Sequence, residues 1–132
     1  MNMPDNLLPE TVFKYFYEIC SIPHGSGNVK QISDYCVDFA KRYGLQYRQD
    51  KYYNVIINKP ASQGYDSHTP VMLQGHLDMV CEKESGYNID FERDGLRLLT
   101  DGQYVFAEGT TLGGDDRRLN CASAAHCCFN NR

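Results

Sequence analysis

The sequence has no apolar run near the ~20 residues that span a bilayer. Its opening stretch, MNMPDNLLPETVF, carries no basic start and no long apolar core. These absences argue against a membrane span and a secretory signal peptide, so the expected location is the cytoplasm. Positive charge is also short. Lys and Arg number 13 against 17 Asp and Glu, giving a formal net charge of −4 and a pI of about 5.5. A nucleic-acid phosphate tracker would need a basic stripe, and a membrane-surface binder a polybasic patch; the sequence offers neither. It also lacks internal repeats, low-complexity tracts and an interdomain linker.

What is present suits one globular domain. The chain has 132 residues, 42% of them hydrophobic, with ten Tyr and six Phe, so a sizeable core can form. The six Cys are Cys20, Cys36, Cys81, Cys121, Cys127 and Cys128. In a chain without secretion they read as free thiols rather than a disulfide frame, with Cys20 and Cys36 as small core residues on helix faces.

Pro9 and Glu10 suit the first turn of a helix. Val12, Phe13, Phe16, Ile19 and Cys20 follow at helical spacing. Pro23 and the His24-Gly25-Ser26-Gly27-Asn28 run interrupt that helix with loop and cap chemistry. A second helix carries Val29, Ile32, Cys36, Phe39, Ala40 and Tyr43 on one face and stops at Gly44. Strands are expected over 45–49 and 53–58, with Asp50-Lys51 between them, and over 71–74. Residues 96–99 and 104–106 flank Asp101-Gly102, a hairpin signal. Helices followed by strands imply an α/β layer fold with a mixed sheet.

The chemistry-bearing stretch is VMLQGHLDMVCEK, residues 71–83. In extended backbone, residues two apart face the same side. His76 and Asp78 therefore point one way and Leu77 the other. A neutral imidazole can bind Zn²⁺ through one nitrogen, and a nearby carboxylate can fix the ring and raise its basicity. Taken alone, His-x-Asp also fits a strand end that turns polar on reaching solvent, because short motifs match by chance. A second stretch, AEGTTLGGDD at 107–116, brackets Thr-Thr-Leu with glycines and delivers two carboxylates. It lacks the Gly-Lys-Ser/Thr ending of a phosphate loop. A carboxylate held this way can bridge two cations; a turn rich in Gly and Asp is the plain alternative.

Together with SIPHGSGN at 21–28 and YYNVIINKPAS at 52–62, these stretches resemble the N-terminal part of one family. It is the aminoacyl-histidine dipeptidases, also called Xaa-His or carnosinase-type dipeptidases, of the dinuclear zinc exopeptidase superfamily. The resemblance runs over residues 8–116. It implies that His76 is a zinc ligand, that Asp78 is the catalytic carboxylate acting beside it, and that Asp115 bridges two zincs. Asp116 stands where relatives usually carry Asn. The implied cofactor is a pair of Zn²⁺ ions, with Mn²⁺ or Co²⁺ as substitutes, and the implied partner is a small dipeptide rather than nucleic acid or membrane. Homodimerisation is an option for full-length relatives. The implied reaction is metal-assisted amide hydrolysis, with a Glu as general base that has no counterpart in this sequence.

After Asp116 the family pattern stops. Residues 117–132 read RRLNCASAAHCCFNNR where a small apolar helix is expected. The expectation is a catalytic-domain portion at 1–116 and an atypical tail at 117–132. Three origins are open for the tail: a frameshift, a divergent end, or a separate metal site of Cys121, His126, Cys127 and Cys128. Glu82, Glu84, Asp90 and Asp94 read as solvated loop charge, and His24 and His68 as surface histidines. The expected product is a dipeptidase portion that is inactive alone. The alternatives are a non-catalytic metal-binding or interaction remnant of the same scaffold, and an α/β domain of unrelated function.

Overall fold

A computed structural model describes residue 7 and residues 9–113. Two helices lead, α1 (Glu10–Cys20) and α2 (Lys30–Arg42). Four short strands follow: β1 (Gln46–Gln49), β2 (Val55–Asn58), β3 (Leu98–Thr100) and β4 (Val105–Ala107). Helix α1 starts directly after Pro9, which caps it without a side-chain bond, and Glu10 places a negative charge at the positive end of the helix dipole. Both helices lie within about a residue of the ranges their apolar spacing predicts.

The core joins α1 to α2 and to the second half of the chain. Tyr15, Phe16, Tyr17 and Cys20 of α1 pack with Phe39 of α2 and with Met79, Leu96 and Leu98. Polar atoms inside this cluster are paired, as burial demands. The Tyr17 hydroxyl donates to the Leu98 carbonyl at 3.1 Å, and the Leu96 amide donates to the Cys20 carbonyl at 2.8 Å. Between these contacts, Gly95 passes so near the end of α1 that a Cβ there would lie 2.3 Å from the Ser21 carbonyl oxygen. Only glycine allows that approach.

The strands form two separate antiparallel hairpins. Gln46 pairs with Asn58 and Gln49 with Val55 in the first; Leu98 pairs with Ala107 and Thr100 with Val105 in the second. Both turns are longer than a two-residue dipeptide turn. In each an Asp carboxylate collects loop amides: Asp50 accepts from Tyr52 and Asn54, and Asp101 from Gln103 and Tyr104. The first turn also holds Tyr53 at a φ of 67°, in the left-handed region. Its carbonyl is fixed by the fully buried Ser33 of α2, whose hydroxyl donates to it at 2.7 Å and accepts from Gln49 Nε2 at 2.8 Å.

The strand expected over 71–74 is not formed. A strand needs a ladder, and no described residue pairs with this stretch. Val71, Met72 and Leu73 are 84%, 88% and 61% exposed, so apolar character without a partner does not make a strand. His68 is on the surface as expected, its ring 5.0 Å from that of Tyr65. His24 is not. It is 2% exposed, drawn inward because its carbonyl accepts the Met79 amide at 3.0 Å. Cys20 is fully buried, as expected, whereas Cys36 is half-buried; among the described residues neither they nor Cys81 form a disulfide.

Replacing Ser33 by Ala keeps the helix but removes the hydrogen bond to the Tyr53 carbonyl, while Gln49 Nε2 keeps its bond to Asp34 at 3.1 Å. Both partners belong to exposed residues, so the loss is that of a typical hydrogen bond, about 0.5–1.5 kcal/mol. Urea unfolding should show a lowered midpoint for Ser33→Ala at unchanged slope, and a midpoint equal to wild type would contradict the latch.

Candidate functional site

Three of the four motif stretches meet at one place. Residues 24–26 lie against 79 through a parallel bridge between Gly25 and Met79. Met79 uses both of its backbone groups there: its amide donates to the His24 carbonyl at 3.0 Å, and its carbonyl accepts the Ser26 amide at 3.1 Å. On the far side, residues 82–84 run antiparallel to 109–111, with the Lys83–Thr110 bridge at the centre. The Glu84 amide donates to the Gly109 carbonyl and the Thr111 amide to the Glu82 carbonyl, both at 2.9 Å.

Thr111 adds a side-chain clasp. Its hydroxyl donates to the Val80 carbonyl at 2.7 Å and accepts the Glu82 amide at 3.1 Å. Gly109, at a φ of 63°, lets the Tyr87 ring lie where a Cβ would come within 2.3 Å of it. Tyr87 then donates through its hydroxyl to Glu108, which also pairs with Arg97 at 2.9 Å. Gly109, in the stretch that resembles a metal-bridging loop, thus serves close packing. Asp115 and Asp116 lie outside the described residues, as do Cys121, His126, Cys127 and Cys128.

His76 and Asp78 come together although the chain bends at Leu77 between them, where alternation assumes extended backbone. His76 Nδ1 is 2.9 Å from Asp78 Oδ1. The other carboxylate oxygen, Oδ2, accepts the Ser26 hydroxyl at 2.6 Å. Both side chains of the pair are partly exposed. The Ser26 hydroxyl, more than the His76 ring, holds the Asp78 carboxyl below the usual carboxylate range, against an opposing push from partial burial. At neutral pH Asp78 is therefore ionised and accepts only. His76 Nδ1 then carries the proton it shares with Asp78, which makes Nε2 the ring nitrogen with a lone pair for coordination.

The arrangement supplies one oriented imidazole with a carboxylate behind it. Among the described residues, no group of three or more His, Cys, Asp or Glu side chains converges. Glu82, Glu84, Asp90 and Asp94 are exposed, as expected. The last two are occupied in their own turn: Asp94 accepts the Asp90 amide at 2.9 Å and Asp90 accepts the Glu92 amide at 3.0 Å. The donor chemistry at His76 fits zinc, which takes imidazole nitrogen readily. A full ligand set needs further groups beyond those described.

Sequence reasoning missed Ser26. It lies 52 residues from its partner, and a Ser in a Gly-rich loop reads as turn chemistry. The one available signal is that SIPHGSGN belongs to the stretches that carry the family resemblance.

No protein-family model matches the chain. It is 40% identical over 116 residues to the cytosol non-specific dipeptidase of Escherichia coli (strain K12), covering 88% of this chain and 24% of that protein. Its fold matches the crystal structure of aminoacylhistidine dipeptidase from Vibrio alginolyticus with a TM-score of 0.89 and 36% identity, over 96% of this chain and 26% of that one. The chain thus spans about a quarter of the length of each relative.

The depressed Asp78 carboxyl sets a pH dependence. Its ionised form stabilises the fold above the ordinary carboxylate range (~3.9), and that contribution is lost as pH falls through the lowered folded-state value. The stability gap between wild type and Asp78→Asn should be largest near neutrality and shrink in acid. Urea midpoints across an acid-to-neutral pH series check this; a gap that stays constant with pH would contradict it.

Proposed function

Because the chain belongs by sequence and fold to the dipeptidases of the zinc-exopeptidase type, we propose that it forms one wall of a metal centre for dipeptide hydrolysis. The single observation behind this reading is the line from Ser26 through Asp78 to His76, which turns a loop histidine into an oriented ligand. His76 would hold zinc through Nε2. Asp78 would keep the ring in the tautomer that coordinates, and would strengthen the ligand by drawing on the Nδ1 proton. Asp115 would bridge a pair of metals, approached through the 109–113 segment that the Thr111 clasp fixes. Bound zinc supplies Lewis acidity, acidifying water and polarising an amide carbonyl; Mn²⁺ or Co²⁺ could substitute.

The substrate class is a small peptide, with Xaa-His dipeptides first. The name of the Vibrio relative supports that order, while the name of the Escherichia coli relative points to a broader range. The cytoplasm is the corresponding location, supported by the cytosolic relative, and no described helix is long and apolar enough to cross a membrane. We propose further that residues 1–116 are the catalytic-domain portion, that 117–132 are a tail foreign to it, and that the 132-residue chain is inactive by itself. A catalytic zinc usually needs three protein ligands with an open position, and the described residues bring one imidazole. That same observation supports a second reading, a metal-binding remnant without catalysis.

Metal content and turnover separate these readings. The purified chain with excess zinc is expected to bind metal in a His76-dependent way and to leave β-alanyl-histidine intact. Equal zinc content in wild type and His76→Ala would refute the proposed centre. Dipeptide turnover that disappears in His76→Ala would refute the inactivity of the isolated chain.

A further inference from the structure

We infer that Ser26 is a positioning residue for the metal centre: its hydroxyl locks the Asp78 carboxylate in the rotamer that orients His76. This rests on the proposed reading of His76 as a ligand and names a residue that the reading leaves without a role. The Ser26 hydroxyl has one proton and two acceptors in range, Asp78 Oδ2 at 2.6 Å and the Met79 carbonyl at 3.4 Å. Hydrogen bonds to a charged acceptor are the shorter and stronger ones, so the proton goes to Asp78.

The serine is itself aimed. Its amide is held by the Met79 carbonyl at 3.1 Å, and the turn that carries it is closed by the Asn28 amide on the Gly25 carbonyl at 2.8 Å. Asp78 and Ser26 therefore ride on two backbones bridged at the adjacent residue. With Oδ2 tied to Ser26, Oδ1 faces the ring at 2.9 Å. Without that tie, a partly exposed carboxylate can rotate toward water and loosen its hold on His76 Nδ1. The hydroxyl thus acts through Asp78 and touches no substrate.

Two measurements on the full 132-residue chain test this. Nitrogen-15 NMR of the metal-free protein at about pH 8, above the ordinary imidazole range, reads the His76 tautomer, with the signal assigned by its loss in His76→Gln. Wild type is expected to be mainly protonated on Nδ1, Ser26→Ala to shift toward a mixture, and Ser26→Thr to restore the wild-type ratio. Cobalt affinity, from chelator competition, is expected to fall on the order of 10-fold in Ser26→Ala, the low end for outer partners of a ligand, and to recover in Ser26→Thr. An unchanged tautomer ratio in Ser26→Ala overturns the inference whatever the affinity does. Cobalt bound equally by wild type and His76→Ala overturns the reading of the centre instead, and the tautomer comparison still decides the role of Ser26.

Discussion

The structure turns on the two backbone hydrogen bonds of Met79. Its amide and carbonyl join residues that are 55 and 53 positions earlier in the chain, His24 and Ser26. Closing so large a loop costs entropy, and the contact is made within the hydrophobic core that offsets that cost. The Met79 side chain is 3% exposed among Tyr15, Phe16 and Leu96. Burial thus fixes one residue, and its backbone fixes the register of the neighbours. The next residue back, Asp78, is thereby set against Ser26, and Asp78 in turn sets His76.

Solvent access shapes the site as much as contact does. A fully buried carboxylate would bear a large desolvation cost, and a fully exposed one would orient nothing. Asp78 lies between, with one oxygen taken by a hydroxyl and the other by an imidazole. The acidic loop nearby has a different fate. Asp90 and Asp94 spend their oxygens on amides four residues apart or fewer. That local use is why a stretch rich in carboxylates adds no ligand to His76 among the described residues.

Local physics made much of the fold legible. Apolar spacing located α1 and α2, and the Asp-rich turns located both hairpins, although the loops proved longer than dipeptide turns. His76 and Asp78 do meet, but across a bend at Leu77 and not along the extended backbone that a period of two requires. Apolar character was not enough to make residues 71–74 a strand, because pairing depends on a neighbour and not on the segment itself. Nor did loop composition reveal that His24 is buried, since its depth follows from the bond to Met79. Kinship to the dipeptidases was readable from the motif stretches, which the 40% and 36% identities bear out.

The sequence by itself determined the periodic elements and the chain's dipeptidase kinship, because each depends on residues within a few positions of one another or on residue identity alone. Tertiary structure decided which oxygen of Asp78 faces the ring, which hydroxyl holds the other, and which histidine is hidden. Those outcomes depend on backbones far apart in sequence meeting at Met79, where long-range burial sets the geometry that no local pattern encodes.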